Sequence, residues 1–134
     1  MTLHAAPQRG LALLLAALSA IGPFAIDTYL PSFPDIAARL QATPLEVQQT
    51  LSAYLFAFAA MTLWHGAIAD RFGRRRVILI ALGLFALASL GCAFATSIGQ
   101  LWFWRGLQGV TAGAGIIISR AIVRDLYDGA PAQR

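Results

Sequence analysis

The stretch "GAIADRFGRRR", residues 66–76, stands between two long apolar runs and is the strongest indication of how the chain folds. It holds one aspartate and four arginines, although only 12% of the whole chain is charged. Soluble domains usually carry about 25% charged residues, whereas this chain is 58% hydrophobic with a mean hydropathy of +0.67. Such a charged cluster is typical of a connection between two membrane-spanning helices.

Four segments are long and apolar enough to cross the hydrocarbon core, which takes a helix of about 20 residues. None of them shows the strict alternation of a strand or a polar helical face. The sequence therefore predicts an all-α, polytopic membrane protein with no soluble domain over residues 1–134. The predicted spans cover approximately residues 11–30, 47–64, 77–95 and 101–123.

The arginines predict the orientation of these spans. All ten basic residues are arginines, and eight of them lie on one side of the predicted membrane. Of the other two, Arg39 lies in the connection between the first and second spans, on the opposite side, and Arg105 lies within the fourth span. The positive-inside rule makes the arginine-rich side cytoplasmic, so both termini are expected in the cytoplasm. A pI near 10.2 can indicate nucleic-acid binding, but these charges follow the topology, and no nucleic-acid partner is expected.

The first span has an alternative interpretation, because Arg9 and the apolar run behind it are similar to a secretory signal peptide. The apolar run is longer than the usual core of a signal peptide, and three further spans follow it. We therefore expect this segment to remain as the first transmembrane helix.

The connections also carry signals for local structure. The stretch "PDIAARL" at 34–40 predicts a short interfacial helix. Thr43 as N-cap, Pro44 at the first helical position and Glu46 at the third predict the start of the second long helix. The third-to-fourth connection, "TSIGQ", is so short that the two helices it joins must be antiparallel neighbours.

The residue pattern within 66–76 indicates more than orientation. A glycine at 66 permits close helix approach, and one at 73 suits a tight turn with positive φ. The aspartate adds nothing to the positive charge, but it can pair with guanidiniums or cap a helix N-terminus. The pattern G-x-x-x-D-R-x-G-R-R resembles the signature between the second and third helices of the major facilitator superfamily. It is formed here by Gly66, Asp70, Arg71, Gly73, Arg74 and Arg75.

The fourth predicted span contains an arginine and a run of small residues. Gly109 and Gly113 have the GxxxG spacing that lets helices approach closely, and packing alone explains them. With Gln108 and Arg105 they resemble the R-x-x-Q-G-x-x-x-G pattern of the fourth helix in the same superfamily. A guanidinium in a span costs roughly 2.5–3.5 kcal/mol on insertion scales, which makes Arg105 a functional candidate.

The first predicted span contains a carboxylate, Asp27, which is also costly in a membrane. It is interpreted either as a structural partner of a buried arginine or as a protonation and substrate site. Asp27 lies about one turn from the outer end of its helix, and Arg105 about one turn into the fourth helix from the same side. The two are therefore expected at similar depth, and an ion pair between them is plausible from sequence.

The stretches "GPFAIDTYLPSFPDIA" and "RAIVRDLY" resemble the Bcr/CflA-type drug-resistance subfamily, whose members are proton-coupled multidrug exporters of the bacterial inner membrane. Ala67 and Arg76 stand where that subfamily commonly has proline. The resemblance implies two six-helix bundles that rock about a central site, of which this chain supplies four helices of the first. It also implies that Asp27 binds a proton or a lipophilic cation in alternation, with Arg105 beside it. Asp70 and the loop arginines are implied to hold a cytoplasmic gate.

Two other functions stay open, a proton-linked carrier of a small metabolite and a non-transporting four-helix membrane scaffold. No nucleophile–base arrangement, phosphate loop or metal-ligand spacing is visible, so neither an enzyme nor a metal or other cofactor is expected. His65 is expected at the membrane interface. The expected partners are the lipid bilayer, protons, a drug-like small molecule and the remaining helices of a full-length transporter.

Overall fold

The computed structural model describes residues 9–128, and helices account for nearly all of them. A 3₁₀ turn at Leu30–Ser32 joins the first two α-helices. Four helical segments are long and apolar enough to cross a membrane, the first being α1 together with the turn and short helix that follow it. The predicted all-α architecture with four long apolar helices is therefore confirmed. The helices are α1 (Arg9–Asp27), α2 (Phe33–Leu40), α3 (Pro44–Phe72), α4 (Arg74–Ala93) and α5 (Ile98–Asp128).

The helix starts follow the local sequence signals. Thr43 caps α3 in a capping box, because its hydroxyl accepts from the Glu46 backbone N–H at 3.2 Å and its own N–H donates to the Glu46 carboxylate at 2.8 Å. The short helix predicted at 34–40 is α2, which begins one residue earlier and ends at Gln41 with a left-handed φ of 50°. The predicted N-cap of α3 and the predicted short helix are therefore confirmed.

The predicted loop at 66–76 is mostly helical. Helix α3 has 29 residues, which makes it roughly 44 Å long and longer than the hydrocarbon core of about 30 Å. It continues through Asp70 and Arg71 to Phe72, and α4 begins at Arg74. Gly73 alone connects the two helices, with a φ of 92°, so the positive φ expected at this glycine is confirmed.

Helix α5 is the centre of the bundle, since it packs against α1, α3 and α4. Gly109 lies directly on the backbone carbonyl of Tyr54 in α3, and Gly115 lies on the backbone carbonyl of Leu18 in α1. A side chain at either glycine would separate the helices, so these two positions set the interhelical distance. The predicted antiparallel contact of α4 with α5 is also present.

The outer surface of the bundle is apolar. Large side chains are exposed along all four long helices, and continuous apolar surface of this kind is rare on soluble monomers. Lipid can cover it, which fits a multi-pass membrane protein. Examples are Leu13, Phe24, Phe56, Leu63, Leu87 and Phe103.

Candidate functional site

Arg105 is a buried cation held between two aromatic rings. Its side chain on α5 is 3% exposed. The guanidinium carbon lies 4.0 Å from the ring centroid of Tyr29 and 4.4 Å from that of Tyr54. Both ring faces attract a cation, more strongly where water is excluded. Arg105 Nη1 also donates a hydrogen bond to Gln108 Oε1 at 2.7 Å, one turn further along α5.

A polar network extends from Gln108 to the neighbouring helix. Gln108 Nε2 donates to Ser89 Oγ at 2.9 Å, and this hydroxyl donates to the Phe85 carbonyl oxygen of α4 at 2.8 Å. The amide of Gln108 therefore has partners at both its oxygen and its nitrogen. Arg105 is less well satisfied, since its Nε and Nη2 are buried without a hydrogen-bond partner in the described part of the chain.

The two tyrosines that hold Arg105 are themselves fixed by hydrogen bonds. Tyr54 of α3 donates its hydroxyl hydrogen to the Gly22 carbonyl oxygen of α1 at 3.0 Å. Tyr29, just after α1, shares a short hydrogen bond with Thr50 of α3. Because the hydroxyl of Tyr54 is held by α1 and that of Tyr29 by α3, the guanidinium occupies a preformed slot between the two rings.

Asp27 and Arg105 do not form the ion pair expected from the sequence. Asp27 is the last residue of α1 and is exposed, and no ion pair within residues 9–128 involves it. Tyr29, only two residues later in the sequence, contacts Arg105. The ion-pair expectation fails in this structure because the chain presents the Tyr29 ring to Arg105 while the Asp27 carboxylate stays outside.

Arg105 and Gln108 line a cavity of about 540 Å³ between α1, α2, α4 and α5. Its other walls are mainly apolar, with Phe24 from α1 and Phe85 from α4 among them. Arg39 of α2 lines it as well, whereas Asp27 does not. A drug-sized ligand site usually has a volume of about 300–1,000 Å³, mostly apolar walls and a few polar groups, and this cavity fits that description.

A second polar cluster lies at the opposite, arginine-rich end of the bundle. Arg74 Nη1 lies 2.6 Å from Asp125 Oδ2 of α5, and Arg74 Nη2 lies 4.0 Å from Asp70 Oδ1. Arg74 therefore connects the ends of α3, α4 and α5. The guanidinium carbon of Arg71 lies 5.5 Å from the ring centroid of Phe72, and Arg75 is exposed.

Sequence reasoning missed Asp125 as part of this cluster. The stretch "RAIVRDLY" was informative only as a family resemblance. Asp125 meets Arg74 because α5 continues beyond residue 123, where the fourth span was predicted to end. A prediction of a longer fourth helix would have indicated this contact. A Cβ added at Gly66, at the same end, would lie 4.0 Å from Ile117 Cγ2 of α5.

His65 is buried between two helices of the bundle. The side chain is 4% exposed, and its Nδ1 lies 3.3 Å from the position that a Cβ of Gly113 would take. Because α3 continues for two more turns beyond His65, the residue lies within the α3–α5 contact. The small Gly113 leaves the space for its ring.

No group of three or more histidine, cysteine, aspartate or glutamate side chains comes together between residues 9 and 128. Two clusters of charged and polar side chains in residues 9–128 therefore remain as candidate sites, the buried Arg105 network and the arginine-rich end. Residues 13–132 match the family model of the Major Facilitator Superfamily. The chain belongs to this superfamily.

Curated relatives place this superfamily member near drug-resistance proteins. It is 49% identical over 89% of its length to the uncharacterized MFS-type transporter YdgK of Bacillus subtilis. It is 37% identical over 86% of its length to the bicyclomycin resistance protein homolog of Haemophilus influenzae. It is 36% identical over 88% of its length to multidrug resistance protein D of Escherichia coli. The resemblance to the drug-resistance subfamily is therefore confirmed.

This chain spans about 30% of the length of each of these relatives. No solved structure shows a significant match to it.

Proposed function

We propose that this chain is the first part of a secondary active transporter that exports drugs or other lipophilic compounds in exchange for protons. The observation that carries the proposal is the buried Arg105 beside a drug-sized cavity, in a facilitator chain whose relatives are named for drug resistance. A cation within a span is costly and is retained where function uses it. A non-transporting scaffold has no use for either the cation or the cavity.

Asp27 and Arg105 have separate roles in this proposal. Asp27, exposed at the end of α1, exchanges the coupling proton because its carboxylate is free of an ion pair within residues 9–128. Arg105 contributes to the ligand cavity instead of pairing with Asp27. This assignment modifies the sequence-based expectation, in which the arginine lies directly against the carboxylate.

The arginine-rich end acts as the cytoplasmic gate in this proposal. Arg74 pairs with Asp125 and Asp70 and so holds the ends of α3, α4 and α5 together. Opening of the gate separates these ends by breaking the ion pairs. Gly73, the single residue between α3 and α4, provides the turn on which these ends depend. The protein then lies in the bacterial inner membrane, with its N-terminus in the cytoplasm.

Proton-driven efflux by the full-length transporter in proteoliposomes tests the proposal. We expect Asp27→Asn to abolish transport of a fluorescent lipophilic cation driven by a pH gradient, because the amide cannot exchange a proton. Asp35→Asn is the matched control, since Asp35 is an exposed carboxylate on the nearby α2 and should leave transport unchanged. Unchanged proton-driven transport in Asp27→Asn contradicts the proposed proton site.

Proton release distinguishes drug exchange from metabolite transport. Addition of a lipophilic cation to the unbuffered full-length protein should release protons in the wild type but not in Asp27→Asn. Release on addition of a sugar or amino acid, and none with the lipophilic cation, identifies a metabolite carrier instead.

A further inference from the structure

A groove lies between α1 and α5 at the arginine-rich end of the bundle, apart from the cavity beside Arg105. This α1–α5 groove has a volume of about 680 Å³. Arg120 and Arg124, one turn apart on α5, line it, and no aspartate or glutamate of residues 9–128 does. The groove is therefore basic. Its other lining residues are small or apolar and come from both helices: Ala12, Leu15, Ala16, Ser19, Ser119 and Val123.

The two arginines of the α1–α5 groove are accessible to a ligand. Both are exposed. The ion pairs formed within residues 9–128 both belong to Arg74, so neither Arg120 nor Arg124 has a carboxylate partner there. Asp70 lines the cleft on their other side, but it pairs with Arg74. Because arginine presents parallel N–H donors that match phosphate oxygens, this pair of side chains suits a phosphate group.

Arg9 adds positive charge at the same end of the groove. The helices α1 and α5 touch where Gly115 lies on the Leu18 backbone carbonyl. Arg9 and Arg124 each lie nine residues beyond this contact, roughly 14 Å along their helices and towards the same end. Arg9 also shares a face of α1 with Ala12, which follows at i+3. Arginines of both helices therefore flank the outer end of the groove.

The deeper end of the groove is apolar. Ala12 and Ala16 are small and exposed, and they leave a shallow channel beside Leu15. The Ser19 hydroxyl donates to the Leu15 carbonyl oxygen at 2.9 Å, so its hydrogen is already used. A hydrocarbon chain fills such a channel through van der Waals contacts, whereas a polar ligand would lose its hydration there.

We propose that the α1–α5 groove binds an anionic phospholipid, with the phosphate between Arg120 and Arg124 and one acyl chain along Ala12 and Ala16. Basic pockets between transmembrane helices at the cytoplasmic side are suited to anionic lipid headgroups. A soluble anion would use the arginines alone and leave the channel empty. The inference goes beyond the proposed transport function, because the groove is separate from the Arg105 cavity and lipid binding does not require transport.

Two lipids with the same acyl chains and different headgroup charge provide the test. We would add equimolar dioleoylphosphatidylglycerol and dioleoylphosphatidylcholine to the full-length transporter in neutral detergent and count the bound lipids by native mass spectrometry. The wild type should bind the phosphatidylglycerol at least about tenfold more tightly, because each arginine near the headgroup adds attraction for its net negative charge. An excess of glycerol 3-phosphate should not displace this lipid, because the soluble anion has no acyl chain.

Charge variants locate the headgroup. The double variant Arg120→Gln/Arg124→Gln should lose most of the preference for phosphatidylglycerol. The matched control is Arg75→Gln/Arg76→Gln, which removes the same charge from exposed residues at the same end of the bundle that do not line the groove. This control should keep the preference, since general attraction to the basic end does not explain a groove-specific loss.

A second pair of variants locates the acyl chain without a change in charge. Ala16→Phe fills the channel and should lower phosphatidylglycerol binding severalfold. Ala17→Phe is the control, because Ala17 is an exposed neighbour on α1 that does not line the groove. A similar effect of the two phenylalanines would contradict the proposed path of the chain.

Four further results contradict the inference. These are equal binding of the two lipids by the wild type, equal losses in the two double-arginine variants, displacement of the lipid by glycerol 3-phosphate, and absence of bound phosphatidylglycerol because a later helix of the full-length protein fills the groove. None of them bears on the exporter proposal, since Asp27→Asn can abolish proton-driven efflux whether or not the groove holds a lipid. Conversely, the lipid can bind with the expected preference to a protein that shows no proton-driven efflux.

Discussion

At the scale of single residues, Gln108 is the only side chain of the described chain that accepts a hydrogen bond from Arg105. Gln108→Leu has a similar volume but leaves Nη1 buried without an acceptor. We expect it to lower the free energy of unfolding by roughly 1.5–3 kcal/mol, the range for hydrogen bonds to charged groups. Reversible unfolding of the purified chain in mixed detergent micelles, followed by circular dichroism, measures the loss.

The double variant checks the physical reason for that loss. Arg105→Met in the Gln108→Leu background removes the unsatisfied charge and keeps an unbranched apolar side chain. Replacing both partners of a buried polar pair can be nearly neutral, so the double variant should be more stable than Gln108→Leu alone. A further loss of stability instead would mean that Arg105 is stabilised mainly by its two tyrosine rings.

The ion pairs of Arg74 lead to a second prediction at this scale. The Arg74 and Asp125 side chains are 30% and 54% exposed, so solvent screens them, and exposed pairs contribute about 0–1 kcal/mol. Asp125→Asn should change the stability of the full-length transporter by less than about 1 kcal/mol. If the pair closes the cytoplasmic gate, the same variant should slow transport severalfold with little change in ligand affinity.

Transport rate and ligand affinity, measured separately for Asp70→Asn and Asp125→Asn, decide the gate assignment. Asp125 is 2.6 Å from Arg74 and Asp70 is 4.0 Å from it, so Asp125→Asn should have the larger effect. Loss of ligand affinity with a normal rate would place these residues in binding and not in gating.

At the scale of helices, two glycines of α5 differ in the space around them, Gly109 being tightly packed and Gly106 open. Gly109 lies on the Tyr54 carbonyl, with Ala57 Cβ 3.0 Å from the position of an added Cβ, whereas Gly106 has no atom within 4 Å of that position. Gly109→Ala should therefore destabilise the bundle, because α5 and α3 must move apart. Gly106→Ala should stabilise it by up to about 1 kcal/mol through helix propensity alone. Thermal unfolding of the two variants in detergent tests this difference in sign.

Much of this helix-level structure could be predicted from the sequence because it depends on local chemistry. The lengths of the apolar segments predicted the long helices. The Thr43–Glu46 pattern predicted the start of α3, and Gly73 predicted the turn between α3 and α4. What could not be predicted depends on which face a residue presents after packing. The direction of Asp27 is one case, and the contact of Asp125 with Arg74 is another, since it joins residues far apart in the sequence.

At the scale of the whole molecule, the arginine distribution makes a prediction about orientation. The α3–α4 connection and the start of α1 lie at the arginine-rich end, whereas α2 with Arg39 lies at the other end of the long helices. The positive-inside rule places the arginine-rich end in the cytoplasm. Cysteine labelling in intact cells can test this assignment.

The labelling uses a full-length background from which the native cysteines are removed, including Cys92→Ser, the one cysteine of this 134-residue sequence. A membrane-impermeant thiol reagent should label Arg39→Cys, whose position is exposed on α2, and should label Arg75→Cys only after the cells are opened. Both positions are exposed in the folded chain, so a difference between them reports the side of the membrane and not burial. Labelling of Arg75→Cys in intact cells, with protection of Arg39→Cys, would reverse the orientation. The end held by Arg74 would then face outward, and it could not serve as a cytoplasmic gate.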